Sequence, residues 1–293
     1  MAEVKRVEPY GFYQLDPIPA ADELAAFYES GYYDSLRAGG RAPSLARLAR
    51  GNREADAELE WLRATVFQDF VSAAESHVGG AGQVLEIGSG RGDLLDTFHS
   101  AGWDAIGLEP AVEIALACRE RGLDVRSLPL DEFVADNPDF EADAVVMRYV
   151  LEHVPDPMML LQRITHCLRR DGVLIVEVPN DFNDLQEAAV RKLGVDRWWV
   201  AVPDHINYFD FDSLTAALDS IGFDVIGRST TFPMELFLLM GDNYIDDATV
   251  GASCHMRRRE FELSVDPQVR HRFYTALAQA GIGRSCLLTA TRR

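Results

Sequence analysis

Basic residues are scarce in this chain: 28 Lys and Arg stand against 47 Asp and Glu among 293 residues, a net charge of −19. That deficit argues against nucleic acid as a partner, because a phosphate backbone needs a basic footprint. Cysteines are few as well. Cys118, Cys167, Cys254 and Cys286 lie far apart and form no C-x-x-C pair. Free core thiols in a reducing, cytoplasmic setting are therefore expected, with no metal-ligand spacing among them. No run approaches the roughly 18 apolar residues of a membrane span; residues 232–240 are short and carry Pro233 and Glu235. The first residues lack the apolar stretch of a secretory signal. Internal repeats and low-complexity tracts are missing too. What remains, 47% apolar and 26% charged, is the composition of an ordinary soluble globular protein with a sizeable core.

Three regions differ in pattern. Residues 1–80 carry helical spacing, first around Asp22, Glu23 and Leu24, then through Leu45, Leu48, Leu59, Leu62, Val66, Phe70 and Val71. Gly31, Gly39 and Gly40 mark a loop between them. From residue 83 short apolar runs alternate with helical segments. Strands are expected at 83–87, 104–108, 142–147, 173–178, 223–227 and 285–290. Helices are expected at 93–101, 111–121, 157–168 and 212–220, the third opened by an N-cap Asp156 and by Pro157. Alternation of this kind implies right-handed crossovers. The expected fold is α/β, a Rossmann-like, mostly parallel seven-stranded sheet with helices on both faces. An N-terminal helical lid would occupy 1–80 and the main domain 81–293, with rim insertions at about 180–210 and 229–283.

The most informative segment is Glu86-Ile87-Gly88-Ser89-Gly90-Arg91-Gly92-Asp93, a buried strand that runs into a three-glycine turn and opens a helix. Glycine leaves room for a ligand to approach the backbone. Dinucleotide enzymes share such a turn, but theirs is spaced G-x-G-x-x-G. Here the spacing is G-x-G-x-G, and a carboxylate stands two residues ahead of it. Glu86 would repel a pyrophosphate and attract an ammonium group. Glu109, closing the next strand before Pro110, is placed to accept hydrogen bonds from both ribose hydroxyls; the competing reading is a carboxylate that favours a helix N-terminus. The implied ligand has a cationic end, a nucleoside end and no phosphates.

At this point the chain resembles the class I S-adenosylmethionine-dependent methyltransferases, in particular the group acting on small molecules. The resemblance covers residues 81–228 and rests on the Glu86–Gly92 turn, on Glu109, and on Arg148-Tyr149-Val150-Leu151-Glu152-His153-Val154 after the strand expected at 142–147. It implies S-adenosyl-L-methionine as cofactor, with the backbone of Gly88, Ser89, Gly90 and Gly92 lining its methionine part. Leu128 would flank the adenine, and the Met147-Arg148 backbone would meet the amino group. Quinone-pathway members have an acidic residue three positions before the Glu-His pair. Here that position is Tyr149, so Glu152 and His153 alone make a poor metal site and no metal is expected. A plain structural reading of that pair, satisfied by backbone and solvent, stays open.

Methyl transfer to a hydroxyl or an acidic carbon needs a base at the acceptor. The first candidate is His205, in Asp204-His205-Ile206-Asn207-Tyr208-Phe209, a stretch that several relatives resemble; His153 is the second. Substrate positioning and a structural role remain alternatives for His205. Trp198, Trp199 and Tyr208 could wall an acceptor pocket or pack the insertion onto the sheet. By resemblance one of Tyr28, Tyr32 or Tyr33 would touch ligand from the lid, Tyr33 being the residue chosen. Arg257, Arg258, Arg259 and Arg270 could receive an anionic acceptor, form a solvated helix face, or serve a homodimer contact. The expected activity is methyl transfer to oxygen or carbon, less readily nitrogen, of a small molecule, with no nucleic-acid partner and no membrane span. A nicotinamide-dependent oxidoreductase and a catalytically silent cofactor-binding module are the competing classes.

Overall fold

A computed structural model describes residues 3–27, 47–48 and 51–293. Its strands are β1 (Glu3–Arg6), β2 (Tyr13–Asp16), β3 (Gln83–Ile87), β4 (Asp104–Leu108), β5 (Asp124–Arg126), β6 (Ala142–Arg148), β7 (Leu168–Pro179), β8 (Asn207–Tyr208), β9 (Phe223–Ser229) and β10 (Ser285–Arg292). Seven of them form one sheet in the order β5-β4-β3-β6-β7-β10-β9. β3 pairs in parallel with β4 and β6, and β4 with β5, whereas β10 runs antiparallel to β9. The expected seven-stranded, mostly parallel architecture is the observed one. Val84, Leu85, Ala144, Val145, Val146, Met147 and Leu174 to Val176 are fully buried, the near-continuous apolar runs of strands covered on both faces.

The chain divides into two compact units, Pro17–Arg148 with Gln162–Leu174, and Met1–Asp16 with Tyr149–Leu161 and Ile175–Arg293. In the first, the anticipated long helix is present as Arg53–Leu62 and Gln68–Val78, joined by a π-helical turn at Arg63–Phe67. Asn52 caps its start by accepting from the Glu54 and Ala55 amides. Leu48, Leu62, Val66, Phe70 and Val71 point inward as their spacing requires; Leu45 lies outside the described residues.

The second unit departs from expectation at its N-terminal end. Residues 3–16 form a hairpin, β1 antiparallel to β2, and β2 pairs with β8 through Tyr13–Tyr208 and Gln14–Asn207. A helical region spanning all of 1–80 is thus corrected. Leu15 inserts into a cluster with Trp199 and Tyr208, and Val4, Tyr13, Phe182 and Trp198 pack around it. The hairpin is held by a partner about 190 residues away in sequence, so local periodicity carries no sign of it. The 229–283 insertion is helical, with Glu235–Met240, Ala248–Ser264 and Pro267–Gln279, and Asp247 and Asp266 cap the last two.

Candidate functional site

In the first unit the glycine turn is fixed before any ligand is considered. The Gly88 and Ser89 amides both donate to the Leu108 carbonyl, at 2.8 and 3.0 Å, and the Gly92 amide donates to the Ser89 carbonyl at 2.8 Å. Gly90 has φ +50° and would place a Cβ in open space, with nothing within 4 Å. Gly92 has φ +70°, and a Cβ there would meet Leu123 Cδ1 at 2.7 Å. The first glycine therefore keeps the face of the turn bare, and the second lets the helix Asp93–Ser100 start tightly against its neighbours.

Glu109 braces this turn. One carboxylate oxygen accepts from the Gly90 amide and the other from the Ala111 amide, both at 2.9 Å. Both of the roles open at the sequence level are compatible with that geometry, since each oxygen retains a second lone pair. Burial pushes the Glu109 carboxyl up, against the two backbone donors that pull it down. Glu86 is only 3% exposed. Its Oε2, like the buried Ser89 hydroxyl, has no hydrogen-bond partner. Desolvation holds the Glu86 carboxyl well above the ordinary glutamate value; Arg148 opposes this, and Asp93 and Glu109 reinforce it. Asp93 in turn is paired with Arg91 at 3.2 Å and Arg121 at 3.5 Å.

The remaining residues expected at the cofactor lie in the same unit. Pro110 is exposed and its carbonyl accepts from the Ser127 hydroxyl at 3.2 Å; Leu128 is half-buried just beyond β5; Met147 is fully buried in β6. The Arg148 guanidinium stands 5.5 Å from the Phe67 ring, at the end of the π-helical turn, a feature frequent at functional sites. An orphaned carboxylate oxygen, an orphaned hydroxyl and a bare glycine face are the complement of a ligand with an ammonium group. These residues fit S-adenosylmethionine.

The second unit brings together Glu152, His153 and His205, whose candidate ligand atoms all lie within 4.8 Å of one another. Glu152 is 1% exposed, with Oε1 3.9 Å from His153 Nε2. The two imidazoles meet edge to face, centroids 5.0 Å apart. His153 Nδ1 bonds the Asp204 carbonyl at 2.8 Å, and since a carbonyl only accepts, the proton sits on Nδ1 and Nε2 is left basic. Burial lowers the His153 pKa, and the Asp204 carbonyl and charge partly oppose it. One carboxylate and two imidazoles are also a donor set suited to a divalent cation. The sequence expectation of no metal counted only Glu152 and His153; the third donor comes from a loop 52 residues on.

Sequence reasoning missed what holds this cluster. Asn207 Nδ2 donates to the Leu151 and Val154 carbonyls at 2.8 and 2.7 Å, and Gln14 Nε2 donates to Asn207 Oδ1 at 2.8 Å and to the Pro155 carbonyl. The Ile206 amide donates to the Glu152 carbonyl at 2.7 Å. Tyr208, fully buried, gives its hydroxyl proton to the His205 carbonyl at 2.7 Å and accepts from the Ala201 amide at 3.1 Å. Its hydroxyl and ring are committed to framing the His205 turn, and Trp199 is committed to the apolar cluster; Trp198 is half-buried against it. Packing, not an open pocket wall, is where Trp199 and Tyr208 lie. Tyr28, Tyr32 and Tyr33 fall outside the described residues. Arg257 pairs with Asp242 at 2.7 Å and covers the Phe237 ring, while buried Arg258 pairs with Glu262 at 3.2 Å. No described helix is long and apolar enough to cross a membrane, and all four cysteines are free and buried.

A mostly parallel seven-stranded sheet whose strand β3 runs through a glycine turn into a helix defines the class: a Rossmann-like fold. The comparisons narrow it. The methyltransferase domain family matches residues 46–227, well over half of the chain, and the chain belongs to that family. Similar curated proteins include C-methyltransferase NovU of Streptomyces niveus, 29% identical over 153 residues, covering 50% of this chain and 34% of that protein. Another is the ubiquinone biosynthesis O-methyltransferase of Methylococcus capsulatus, 30% identical over 132 residues, 43% and 55% of the respective lengths. The matches thus span between a third and just over half of the relatives. Among solved structures, a SAM-dependent methyltransferase from Archaeoglobus fulgidus aligns with TM-score 0.54 at 18% identity, over 89% of this chain and all of the other. The Burkholderia thailandensis 1,6-didemethyltoxoflavin-N1-methyltransferase aligns with TM-score 0.52 at 17% identity, over 99% of both chains. These structural likenesses establish a shared fold.

Proposed function

We propose that this protein transfers a methyl group from S-adenosylmethionine to an oxygen or carbon atom of a small-molecule acceptor. The observation that carries the reading is the buried, unpartnered Glu86 Oε2 on the strand that runs into a glycine turn whose Gly90 face is bare. When bound, the cofactor supplies an electrophilic methyl on a sulfonium. Glu86 would take the cofactor's ammonium, an interaction that also restores its carboxylate to the charged form. The second lone pairs of Glu109 would accept from the ribose hydroxyls. Ser89, the Gly88–Gly92 backbone and the Met147-Arg148 backbone would close around the methionine part, with Pro110 and Leu128 toward the nucleoside.

On the acceptor side, a neutral imidazole must remove a proton from a hydroxyl or an acidic carbon. His205 is the proposed base and His153 the alternative, its lowered pKa keeping Nε2 free of a proton at neutral pH. Tyr208 and Asn207 act as positioning residues through the backbone of the His205 turn and of the Leu151–His153 segment. A second reading is favoured by the clustering of three donors: Glu152, His153 and His205 could hold a divalent cation that polarises the acceptor. A strong chelator separates the two, abolishing turnover only if the cation is needed. The acidic composition supports a small molecule rather than nucleic acid as acceptor, and the buried thiols suit a reducing compartment. Exposed Met240, Met256, Leu263, Val269 and Phe273 on the C-terminal helices are the proposed contact of a homodimer, which sedimentation checks.

The test is incubation of metabolite pools with cofactor labelled on the methyl, comparing wild type with His205→Ala. Label should enter a small molecule with wild type and fall strongly with the variant. Cofactor binding without labelling of any pool would mark a silent binding module, and protection by a nicotinamide cofactor instead would mark an oxidoreductase.

A further inference from the structure

The turn that leaves β7 is more tightly specified than a connection requires. Asn180 donates from Nδ2 to the Gly281 and Gly283 carbonyls, both at 3.0 Å, while its amide donates to the Arg284 carbonyl at 3.0 Å. Asn183 donates to the Asn180 carbonyl and caps the helix Asp184–Leu193 by accepting from the Leu185 and Gln186 amides. Between them Phe182 is held at φ +59°, a conformation that bulky residues adopt only when their surroundings impose it. The result fixes the Asp181 side chain inward, 4% exposed, with Oδ1 accepting from Gln186 Nε2 at 3.2 Å.

That ordering leaves acceptors without donors. Asp181 Oδ2 and Gln186 Oε1 have no hydrogen-bond partner, and neither does Oε2 of Glu235. Glu235 begins the helix Glu235–Met240, which packs against Asp184–Leu193, and it is 2% exposed. Three orphaned acceptors, two of them carboxyl oxygens, thus come from adjoining segments of one unit. Buried polar atoms are almost always paired, so such a group needs an explanation. The buried Tyr244 hydroxyl, electrostatically coupled to Glu235, is also without a partner, but one hydroxyl cannot serve all three acceptors, and a ligand with several N–H donors and positive charge meets the two carboxyls best.

We propose that Asp181, Gln186 and Glu235 form a subsite for a protonated amino group, and that this group is a handle of the methyl acceptor. An ammonium offers three N–H donors to three acceptors. Held in that way the nitrogen has no lone pair and is not nucleophilic, so the methylated atom lies elsewhere on the acceptor, in keeping with oxygen or carbon. Burial pushes the Asp181 carboxyl up to about 7, Glu235 adds to the rise, and burial also lifts Glu235 itself. Nearby Arg284 favours the charged form of both. The role as an acceptor handle rests on the methyltransferase reading, but amine binding does not.

The experiment uses the full chain and three probes of similar size: ethylammonium, tetramethylammonium and ethanol. Binding is read by thermal shift and by ligand-observed NMR, which need no turnover. Ethylammonium should raise the melting temperature and bind; tetramethylammonium, a cation without N–H donors, and ethanol, a neutral donor, should do neither. Asp181→Asn and Glu235→Gln should each weaken ethylammonium binding by about tenfold or more, the scale of one charged hydrogen bond. Gln186→Met gives a milder test should either variant fail to fold. S-Adenosylhomocysteine binding, unchanged in a folded variant, shows that the cofactor unit is intact. Equal responses to the three probes, or wild-type responses in the variants, would overturn the proposal and leave buried water as the partner of these atoms. If ethylammonium selectivity holds while no methylation occurs, the methyltransferase reading falls and the amine site stands.

Discussion

Exchanging Glu86 for glutamine changes one atom and should move two properties in opposite directions. The carboxyl is buried to 3% exposure and its Oε2 has no donor, so carrying a charge there is unfavourable in the protein without cofactor. A carboxyl whose folded pKa is raised above its unfolded value contributes fully to stability below the unfolded value. That contribution is lost as pH rises through the folded value. Glu86→Gln removes the loss. At pH 7–8 the variant without cofactor should therefore be more stable than wild type by roughly 1–3 kcal/mol, the extra cost of burying an unpartnered charge rather than a neutral amide. That corresponds to a few degrees in melting temperature, and the gap should close toward pH 4. Affinity should move the other way. Loss of one charge-assisted hydrogen bond to an ammonium removes roughly 1.5–3 kcal/mol, or about 10- to 150-fold in Kd. Calorimetry with S-adenosylhomocysteine, beside pH-resolved melting of the ligand-free protein, measures both. A variant that binds as tightly as wild type, or that melts lower at pH 8, would refute the reasoning.

Other perturbations separate the remaining roles. Gly92→Ala forces an alanine to φ +70° against Leu123 and should destabilise the protein by roughly 1–3 kcal/mol in chemical denaturation. Tyr208→Phe removes two hydrogen bonds of the His205 turn and should lower kcat several-fold while the Kd for cofactor stays unchanged in calorimetry. Methyl transfer should persist in excess chelator if His205 acts as a base, and vanish if the Glu152–His153–His205 cluster holds a cation. His153, held below the ordinary imidazole value by burial, contributes stability above that value and loses it as pH falls. Wild type should thus shed stability on acidification below about pH 6.5, and His153→Asn should shed less, as pH-dependent denaturation reports.

What could be read from the amino acids follows how local each feature is. Strands 83–87 and 104–108 were legible to the residue, because buried parallel strands are uninterrupted apolar runs and the glycine turn marks their end. Seven of the proposed cofactor residues, Glu86, Gly88, Ser89, Gly90, Gly92, Glu109 and Pro110, lie on or directly after these two strands, whereas Leu128, Met147 and Arg148 lie further on. By contrast, β1 is Glu3-Val4-Lys5-Arg6, with no pattern of its own, and exists because β2 beside it is paired to β8. The meeting of His205 with Glu152 depends on Asn207 and Gln14, residues with no chemical signature in sequence. Trp199 and Tyr208 illustrate an ambiguity of composition: aromatic side chains serve a pocket wall and a core equally well, and only burial decides. Asp181, Gln186 and Glu235 carry no binding signature in sequence for a related reason, since a polar side chain declares its interest only when it is buried without a donor.

The central claim is that the glycine turn selects a cationic, phosphate-free nucleoside through Glu86. Competition calorimetry tests it most directly, titrating S-adenosylmethionine and NADH separately and then against each other. The account predicts saturable heat with S-adenosylmethionine, unaffected by excess NADH. Binding of NADH with displacement of the sulfonium compound, or no heat from the latter at any concentration, would contradict it.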